Sequence, residues 1–135
     1  MPAEDLATRT RVVLVEDQAD FRRLMEVLLS QQPDLEVVAQ AGSLAEARSD
    51  AVAVSFDVAV LDLGLPDGDG ADLIAELRRA NPGAAVLVLS ASLDPASLER
   101  ATEAGASEIL DKLATPGELV GAIRRLGTGE PANPI

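Results

Sequence analysis

Short runs of apolar residues alternate along this chain with longer segments in which apolar positions recur every three or four residues. The runs at 12–15, 58–61, 86–89 and 109–110 predict buried strands, and the β-branched segment at 35–39 predicts a fifth, less apolar strand. Helical spacing fills the segments between these strands. Strands that alternate with helices favour a parallel sheet with helices on both faces and right-handed crossovers.

Five such units predict an α/β fold of the flavodoxin-like, doubly wound (βα)5 type. Its five-stranded parallel sheet is expected in the order 2-1-3-4-5. The periodic pattern covers residues 11–127, which we interpret as one domain. Residues 1–10 are interpreted as an N-terminal extension, and residues 128–135 as a C-terminal tail or truncated linker, because they show no periodicity.

Two of the predicted helices differ in how much apolar surface they offer to the sheet. The first has one continuous stripe, whereas the fourth turns mostly small residues inward and is expected to bury little. The stripe of the first helix consists of Phe21, Leu24, Met25, Leu28 and Leu29, and the inward positions of the fourth are Leu98, Ala101 and Ala104.

Capping signals mark the starts of several helices. The acidic stretch at 67–72 resembles a calcium loop but lacks the closing glutamate, so we interpret it as a turn plus a cap for the third helix. The other signals are a capping box at Ser43 and Glu46, a cap followed by proline at Asp94 and Pro95, and a capping box at Thr115 and Glu118.

Composition narrows the classes of function. The 135 residues are 47% hydrophobic and 25% charged, which is typical of a globular protein, and no apolar run is long enough to span a bilayer. A net charge of −12 opposes attraction to nucleic acid or anionic membranes, so neither is expected as a direct partner. A cytoplasmic location is expected. The absence of cysteine and histidine leaves carboxylates, hydroxyls and one lysine for chemistry.

Polar residues follow four of the predicted strands at the point where each strand ends. Glu16 and Asp17 follow the first strand, Asp62 the third, Ser90 the fourth and Lys112 the fifth. Ligand sites of open parallel sheets lie beyond these carboxyl ends, so we expect the side chains to converge. Clustered carboxylates raise one another's pKa values or require a cation, and an all-oxygen cluster suits Mg²⁺. With that ion, Asp62 could act as a nucleophile toward phosphorus, assisted by Lys112 and Ser90.

These residues together resemble the receiver domains of two-component response regulators, over roughly residues 11–127. The resemblance rests on Glu16-Asp17, the stretch at 61–70, Ser90-Ala91, and Gly105-Ala106 ahead of Lys112. It implies Mg²⁺-dependent phosphorylation by a partner histidine kinase and slow self-dephosphorylation, in a signalling phosphoacceptor domain rather than an enzyme acting on other substrates. Residues 105–131 look like receivers that precede a helix-turn-helix output domain.

The resemblance implies a role for each matching position. The roles are phosphoacceptor for Asp62, direct metal ligand for Asp17, support of the ion for Glu16, a further ligand from the backbone carbonyl of Gly64, and switch hydroxyl and conserved-type lysine for Ser90 and Lys112.

Two positions depart from the family pattern. Leu113 stands after Lys112 where the family usually has proline, and Ile109 stands where many members have Tyr or Phe. We therefore expect the switch to rely on movement of Ser90 and on repositioning of the fourth helix. The expected output surface is the fourth helix, fifth strand and fifth helix, which would meet an output domain or protein partner, and phosphorylation could also pair two copies.

Other functions remain open at this point. A phosphatase with an aspartate nucleophile shares the acyl-phosphate chemistry. Members of that class carry an Asp-x-Asp motif after their first strand, whereas Asp62 follows the third strand and has Gly64 two positions later. A phosphorylation-independent pseudo-receiver that serves as a binding module is prompted by Leu113 and Ile109. A nucleotide or flavin site is disfavoured because neither glycine-rich phosphate-binding motif occurs.

Overall fold

A five-stranded parallel sheet forms the centre of the computed structural model, which describes residues 9–91 and 94–128. The strands lie in the order β2-β1-β3-β4-β5, which confirms the predicted fold. Their bounds are β1 Thr10–Val15, β2 Leu35–Ala41, β3 Val58–Asp62, β4 Ala85–Ser90 and β5 Glu108–Asp111.

Helices cover both faces of this sheet. Residues of β1 alternate between two cores, because Val13 and Val15 face one cluster while Val12 and Leu14 face the other. The first cluster lies under α2, α3 and α4, and the second lies under α1 and α5. The helices are α1 Ala19–Ser30, α2 Leu44–Glu46 with a π-helical continuation Ala47–Ala51, α3 Gly70–Ala80, α4 Pro95–Ala104 and α5 Pro116–Gly127.

The apolar faces of α1 and α4 differ as the sequence predicts, with one exception. On α1, Met25 and Leu29 are buried, but Leu24 is 63% exposed. The prediction was wrong for Leu24 because the stripe is wider than the surface that the sheet and α5 offer to it. On α4, Ala101 is the buried residue, so this helix is weakly anchored.

A short antiparallel hairpin, which the sequence pattern does not reveal, connects β3 to α3. It pairs Gly64–Leu65 with Gly68–Asp69. Asp69 caps α3 by accepting a hydrogen bond from the amide of Ala71 at 2.9 Å, as predicted for this stretch.

Asp67 of the same hairpin caps α2 instead of α3. Its two carboxylate oxygens accept hydrogen bonds from the amides of Leu44 at 2.8 Å and Ala45 at 3.0 Å. These bonds lower the pKa of Asp67 because they favour the charged form. The hairpin therefore connects the starts of two helices.

The other capping predictions hold at α4 and α5 and hold in part at α2. Asp94 accepts from the amide of Ser97, and Thr115 forms both bonds of a capping box with its partner Glu118. At α2 the hydroxyl of Ser43 accepts from the amide of Glu46, but the Glu46 carboxylate accepts from Gly42. The reciprocal bond thus reaches one residue further back than the capping box requires.

Gly70, the first residue of α3, lies directly against the backbone that leaves β3. A Cβ atom there would lie 2.9 Å from Leu63 Cα and 3.1 Å from the carbonyl oxygen of Asp62. Because neither backbone atom can move freely, Gly70→Ala is expected to lower the free energy of unfolding by about 1–2 kcal/mol. Urea denaturation measures this change.

Gly121 provides the matched control, since it lies within α5 and a Cβ atom there would meet nothing within 4 Å beyond its own helix. Gly121→Ala should therefore raise the free energy of unfolding by about 0.5–1 kcal/mol through helix propensity alone. If both alanines change stability in the same direction, close packing is not the reason for glycine at position 70.

The ends of the chain carry predictions that the structure reaches only in part. Strand β1 begins at Thr10 and α5 ends at Gly127. Residues 1–8 and 129–135, which hold most of the predicted extension and tail, lie outside the described residues. No helix in the described part of the chain is long and apolar enough to cross a membrane.

Candidate functional site

The carboxyl ends of β1, β3, β4 and β5 meet at a cavity of about 640 Å³. Side chains from the strand ends, the hairpin and α4 line it together. The lining residues are Asp17, Gln18, Asp62, Leu63, Gly64, Gly68, Asp69, Ser90, Ala91, Ser97, Arg100 and Lys112.

Three carboxylates converge at one side of this cavity. Oxygens of Glu16, Asp17 and Asp62 all lie within 4.8 Å of one another. The register of the sheet explains this, because Val15 pairs with Leu61 and both strands deliver an acidic residue one position later. Glu16 is fully buried, Asp62 is 9% exposed and Asp17 is exposed.

Lys112 connects these carboxylates from the end of β5. Its Nζ atom lies 2.9 Å from Glu16 Oε1 and 3.2 Å from Asp62 Oδ2. The same atom donates a hydrogen bond to Gln18 Oε1 at 3.1 Å and lies 4.9 Å from the centre of the Phe21 ring. The single lysine of the chain is therefore fixed among three oxygens.

The charges of this cluster shift two pKa values. Burial raises the pKa of Glu16, although the bond from Lys112 opposes the shift and the charge of Asp62 reinforces it. Burial lowers the pKa of Lys112, but its bonds to Glu16 and Asp62 outweigh that effect, so its pKa is raised overall. Lys112 is therefore a firmly protonated cation.

Asp62 and Ser90 face the cavity from neighbouring strands. Asp62 Oδ1 accepts a hydrogen bond from the amide of Gly64 at 3.1 Å, and Oδ2 accepts one from Lys112. Ser90 is 5% exposed, and its carbonyl accepts a bond from the amide of Lys112 at 2.9 Å. The ends of β3, β4 and β5 are thus held together around one carboxylate.

The donor set fits a hard divalent cation. Glu16 Oε1 is buried, and its cationic partner among the described residues is the Lys112 ammonium at 2.9 Å. Asp17 is not the cap of α1, since Gln18 holds that position. Two buried carboxylates and one exposed carboxylate suit an ion such as Mg²⁺, which keeps several waters.

The structure therefore brings Glu16, Asp17, Asp62, Ser90 and Lys112 together at one cavity, as the strand-end argument predicts. The amide of Gly64 also faces this cluster, through its bond to Asp62. The individual roles of these residues stay predictions.

Sequence reasoning missed other residues of the cavity. Gln18, which also donates its amide to Glu16 Oε2 at 3.0 Å, directly follows the first acidic pair and could have been found at that strand end. Asp69, Ser97 and Arg100 come from the hairpin and α4. No motif in the sequence marks these three, because only the packing of α4 beside the hairpin places them there.

The structure shows the surroundings of both unusual positions. The amide of Leu113 donates a hydrogen bond to Asp111 Oδ1 at 2.8 Å, a bond that proline could not form. The Leu113 side chain is 90% exposed. Ile109 is partly buried and packs against the cluster under α3 and α4.

The fold and the cavity define a class of protein: a doubly wound α/β domain with an acidic, lysine-bearing pocket at the carboxyl ends of its strands. The chain belongs to the response regulator receiver domain family, whose model matches residues 12–124. The predicted family is therefore confirmed.

Known regulators are similar to this chain. Transcriptional regulatory protein UhpA of Salmonella typhimurium is 36% identical over 118 residues, which cover 87% of this chain and 59% of that protein. The DNA-binding transcriptional activator DevR/DosR of Mycobacterium tuberculosis is 39% identical over 119 residues, which cover 88% of this chain and 55% of that protein. Both names describe transcriptional regulators, which is consistent with the predicted resemblance to receivers that precede a helix-turn-helix output domain. The chain spans a little over half the length of these two relatives.

A solved structure shows the same architecture. The signal receiver domain of the response regulator NarL from Mycobacterium tuberculosis superimposes with a TM-score of 0.78 and 31% sequence identity. The superposition covers 90% of this chain and 98% of that one. The similarity therefore extends over the complete domain of that relative.

Proposed function

We propose that this domain is a signalling switch that accepts a phosphoryl group on Asp62 from a histidine kinase in a Mg²⁺-dependent reaction. The observation that carries the proposal is the position of the Asp62 carboxylate, which lies beside Glu16 and Asp17 and accepts a hydrogen bond from Lys112. A nucleophile, a cation-binding cluster and a fixed ammonium group are the parts that phosphoryl transfer requires.

The carboxylate of Asp62 has two differently held oxygens. Gly64 and Lys112 each donate to one of them, which orients the carboxylate toward the cavity. We propose that Asp62 attacks the phosphorus atom of the incoming phosphoryl group, so that a P–O bond to Asp62 forms as the bond to the donor breaks. Lys112 then neutralises one phosphoryl oxygen, and the Ser90 hydroxyl donates to another.

Glu16, Asp17, Asp62 and the carbonyl of Gly64 are the proposed ligands of Mg²⁺. The ion supplies positive charge that offsets repulsion between the phosphoryl group and the carboxylates. Asp17 is the proposed direct ligand because it is exposed and lies within the acidic cluster. Glu16 is held by Lys112 and the amide of Gln18, so it supports the site from the buried side.

The same geometry favours a receiver over an enzyme that acts on other substrates. Gly64 occupies the position at which an aspartate-nucleophile phosphatase would carry its second acid, so no carboxylate is available there to protonate a leaving group. We propose that the domain catalyses only its own phosphorylation and dephosphorylation. A cytoplasmic location is part of the same proposal, as are the domain limits of 11–127.

The proposed output surface is formed by α4, β5 and α5. Because α4 buries little apolar surface, it is the helix that phosphorylation can move at least cost. This surface would meet an output domain or a protein partner, or a second phosphorylated copy. Residues 1–10 and 128–135 remain the proposed extension and the proposed tail or linker.

Incubation with acetyl phosphate and Mg²⁺, followed by intact-mass measurement, tests the proposal. We expect the mass of one phosphoryl group to be added to the wild type and not to Asp62→Ala, and we expect chelation to prevent the addition. Absence of the adduct from the wild type, or an equal adduct on Asp62→Ala, would favour the alternative of a phosphorylation-independent binding module.

A further inference from the structure

Helix α4 brings a second cation to the cavity that holds Asp62. Arg100 lines the cavity together with Ser97 from the same helix. Among the described residues that line the cavity, Lys112 and Arg100 are the two basic ones. Arg100 has no part in the mechanism proposed above, so its position requires an explanation.

The two cations differ in how firmly they are held. The Lys112 ammonium has three N–H donors and lies within 3.2 Å of oxygens of Glu16, Gln18 and Asp62. These oxygens fix the position of the ammonium group, so Lys112 meets only the one phosphoryl oxygen assigned to it above. The guanidinium of Arg100 has five N–H donors, and its described bond is the one from Nε to Asp69 Oδ2 at 3.2 Å.

The Arg100–Asp69 pair is easy to break. The side chains of Arg100 and Asp69 are 55% and 40% exposed, and ion pairs of such exposure contribute little to stability. Asp69 keeps a structural role after the pair breaks, because its other oxygen caps α3 through the amide of Ala71. Release of Arg100 therefore need not disturb the hairpin.

We propose that Arg100 is a phosphoryl-binding residue that stays paired with Asp69 until Asp62 is phosphorylated. This inference rests on the proposed phosphorylation of Asp62. A phosphoryl group adds up to two negative charges and three acceptor oxygens to the cavity, and it competes with the single carboxylate of Asp69 for the guanidinium. Transfer of Arg100 from Asp69 to the phosphoryl group moves α4, in which Ala101 is the buried residue and Ala104 packs partly buried against the core.

This exchange connects the chemistry at Asp62 to the output surface without an aromatic residue in β5. The side chain of Ile109 has no polar group that could form a hydrogen bond with Ser90 when Ser90 moves. Arg100, by contrast, is on α4 and reaches the cavity itself. The charge of the phosphoryl group then acts directly on the helix that must move.

The test measures the affinity of the complete chain for trifluoroberyllate, a stable phosphoryl mimic, in the presence of Mg²⁺, by fluorine NMR. We expect Arg100→Gln to weaken binding roughly fivefold and Arg100→Lys to restore most of it, because the positive charge is retained. Asp69→Asn should tighten binding by a similar factor, since asparagine still caps α3 but no longer holds the guanidinium as a charged partner.

The double variant Asp69→Asn with Arg100→Gln separates this exchange from a general effect of charge. If Asp69 acts through Arg100, the double variant binds as weakly as Arg100→Gln alone. Additive effects of the two substitutions would overturn the proposal, as would wild-type affinity in Arg100→Gln.

Arg48→Gln is the matched control. This substitution breaks the ion pair of Arg48 with Glu76 at 2.9 Å, in which the arginine side chain is 47% exposed. Arg48 does not line the cavity, so the affinity of Arg48→Gln for the mimic should equal that of the wild type.

The wild type and Asp62→Ala test the proposed function separately from the role of Arg100. If the mimic binds to the wild type, fails to bind to Asp62→Ala, and is insensitive to Arg100, only the role of Arg100 is wrong.

Discussion

Replacement of Lys112 by Met is expected to lower the free energy of unfolding by about 3 kcal/mol at neutral pH without divalent ions. The substitution leaves Glu16 and Asp62 close together without their cation, and Glu16 is fully buried. A buried carboxylate that loses its partner costs several kcal/mol. The Lys112 side chain is 12% exposed, so we expect the lower end of that range.

Mg²⁺ should reverse much of this loss. The ion would place positive charge among the same carboxylates, so Lys112→Met is expected to gain more stability from Mg²⁺ than the wild type does. Urea denaturation with and without Mg²⁺ measures both quantities. Arg124→Gln is a suitable control, because its pair with Asp34 is exposed and neither residue lines the cavity. Equal free energies of unfolding for Lys112→Met and the wild type without Mg²⁺ would show that Lys112 does not offset the negative charge of the acidic cluster.

The fold could be predicted from the sequence because its apolar runs are short and separated by periodic helical segments. Strand β3 is buried at all five positions, which is what an uninterrupted apolar run at the centre of a parallel sheet predicts. The convergence of the strand-end residues could be predicted from this topology, since β1 and β3 are neighbours in the predicted strand order.

The rest of the site could not be predicted because it depends on contacts between elements that are distant in the chain. Asp67 caps α2, which begins 23 positions earlier, and this contact depends on how the hairpin folds back over the sheet. The pair of Arg100 with Asp69 likewise spans 31 positions and joins α4 to the hairpin. Local patterns contain no information about such pairs.

Leu24 shows a different limit of sequence patterns. Helical periodicity identifies the side of α1 that faces the protein, but it does not measure the width of the surface that covers it. Leu24 lies at the margin of that side, near Phe21 and the start of α5, where an apolar groove of about 230 Å³ remains open. The pattern therefore gives the orientation of α1 correctly and overestimates the burial of this residue.

Asp17→Asn is expected to leave stability without divalent ions unchanged or slightly raised, and to remove most of the stabilisation by Mg²⁺. Asp17 is exposed and forms no hydrogen bond or ion pair with the described residues, while its charge lies within 4.8 Å of two other carboxylates. Removal of that charge relieves repulsion without breaking a contact. Among the described residues no hydrogen bond or ion pair gives Asp17 a structural role, so we expect its favourable contribution to come from ion binding.

The expected loss follows from linkage between ion binding and folding. At a Mg²⁺ concentration ten times the dissociation constant, binding stabilises the wild type by about 1.4 kcal/mol, and Asp17→Asn should lose most of this gain. Glu36→Gln removes one negative charge from an exposed position of β2, away from the cavity, and should respond to Mg²⁺ as the wild type does. An undiminished response in Asp17→Asn would exclude Asp17 as a direct ligand. Because Lys112→Met and Asp17→Asn are predicted to shift stability without Mg²⁺ in different directions, the two variants together distinguish a charge-balanced ion site from an ordinary surface cluster of carboxylates.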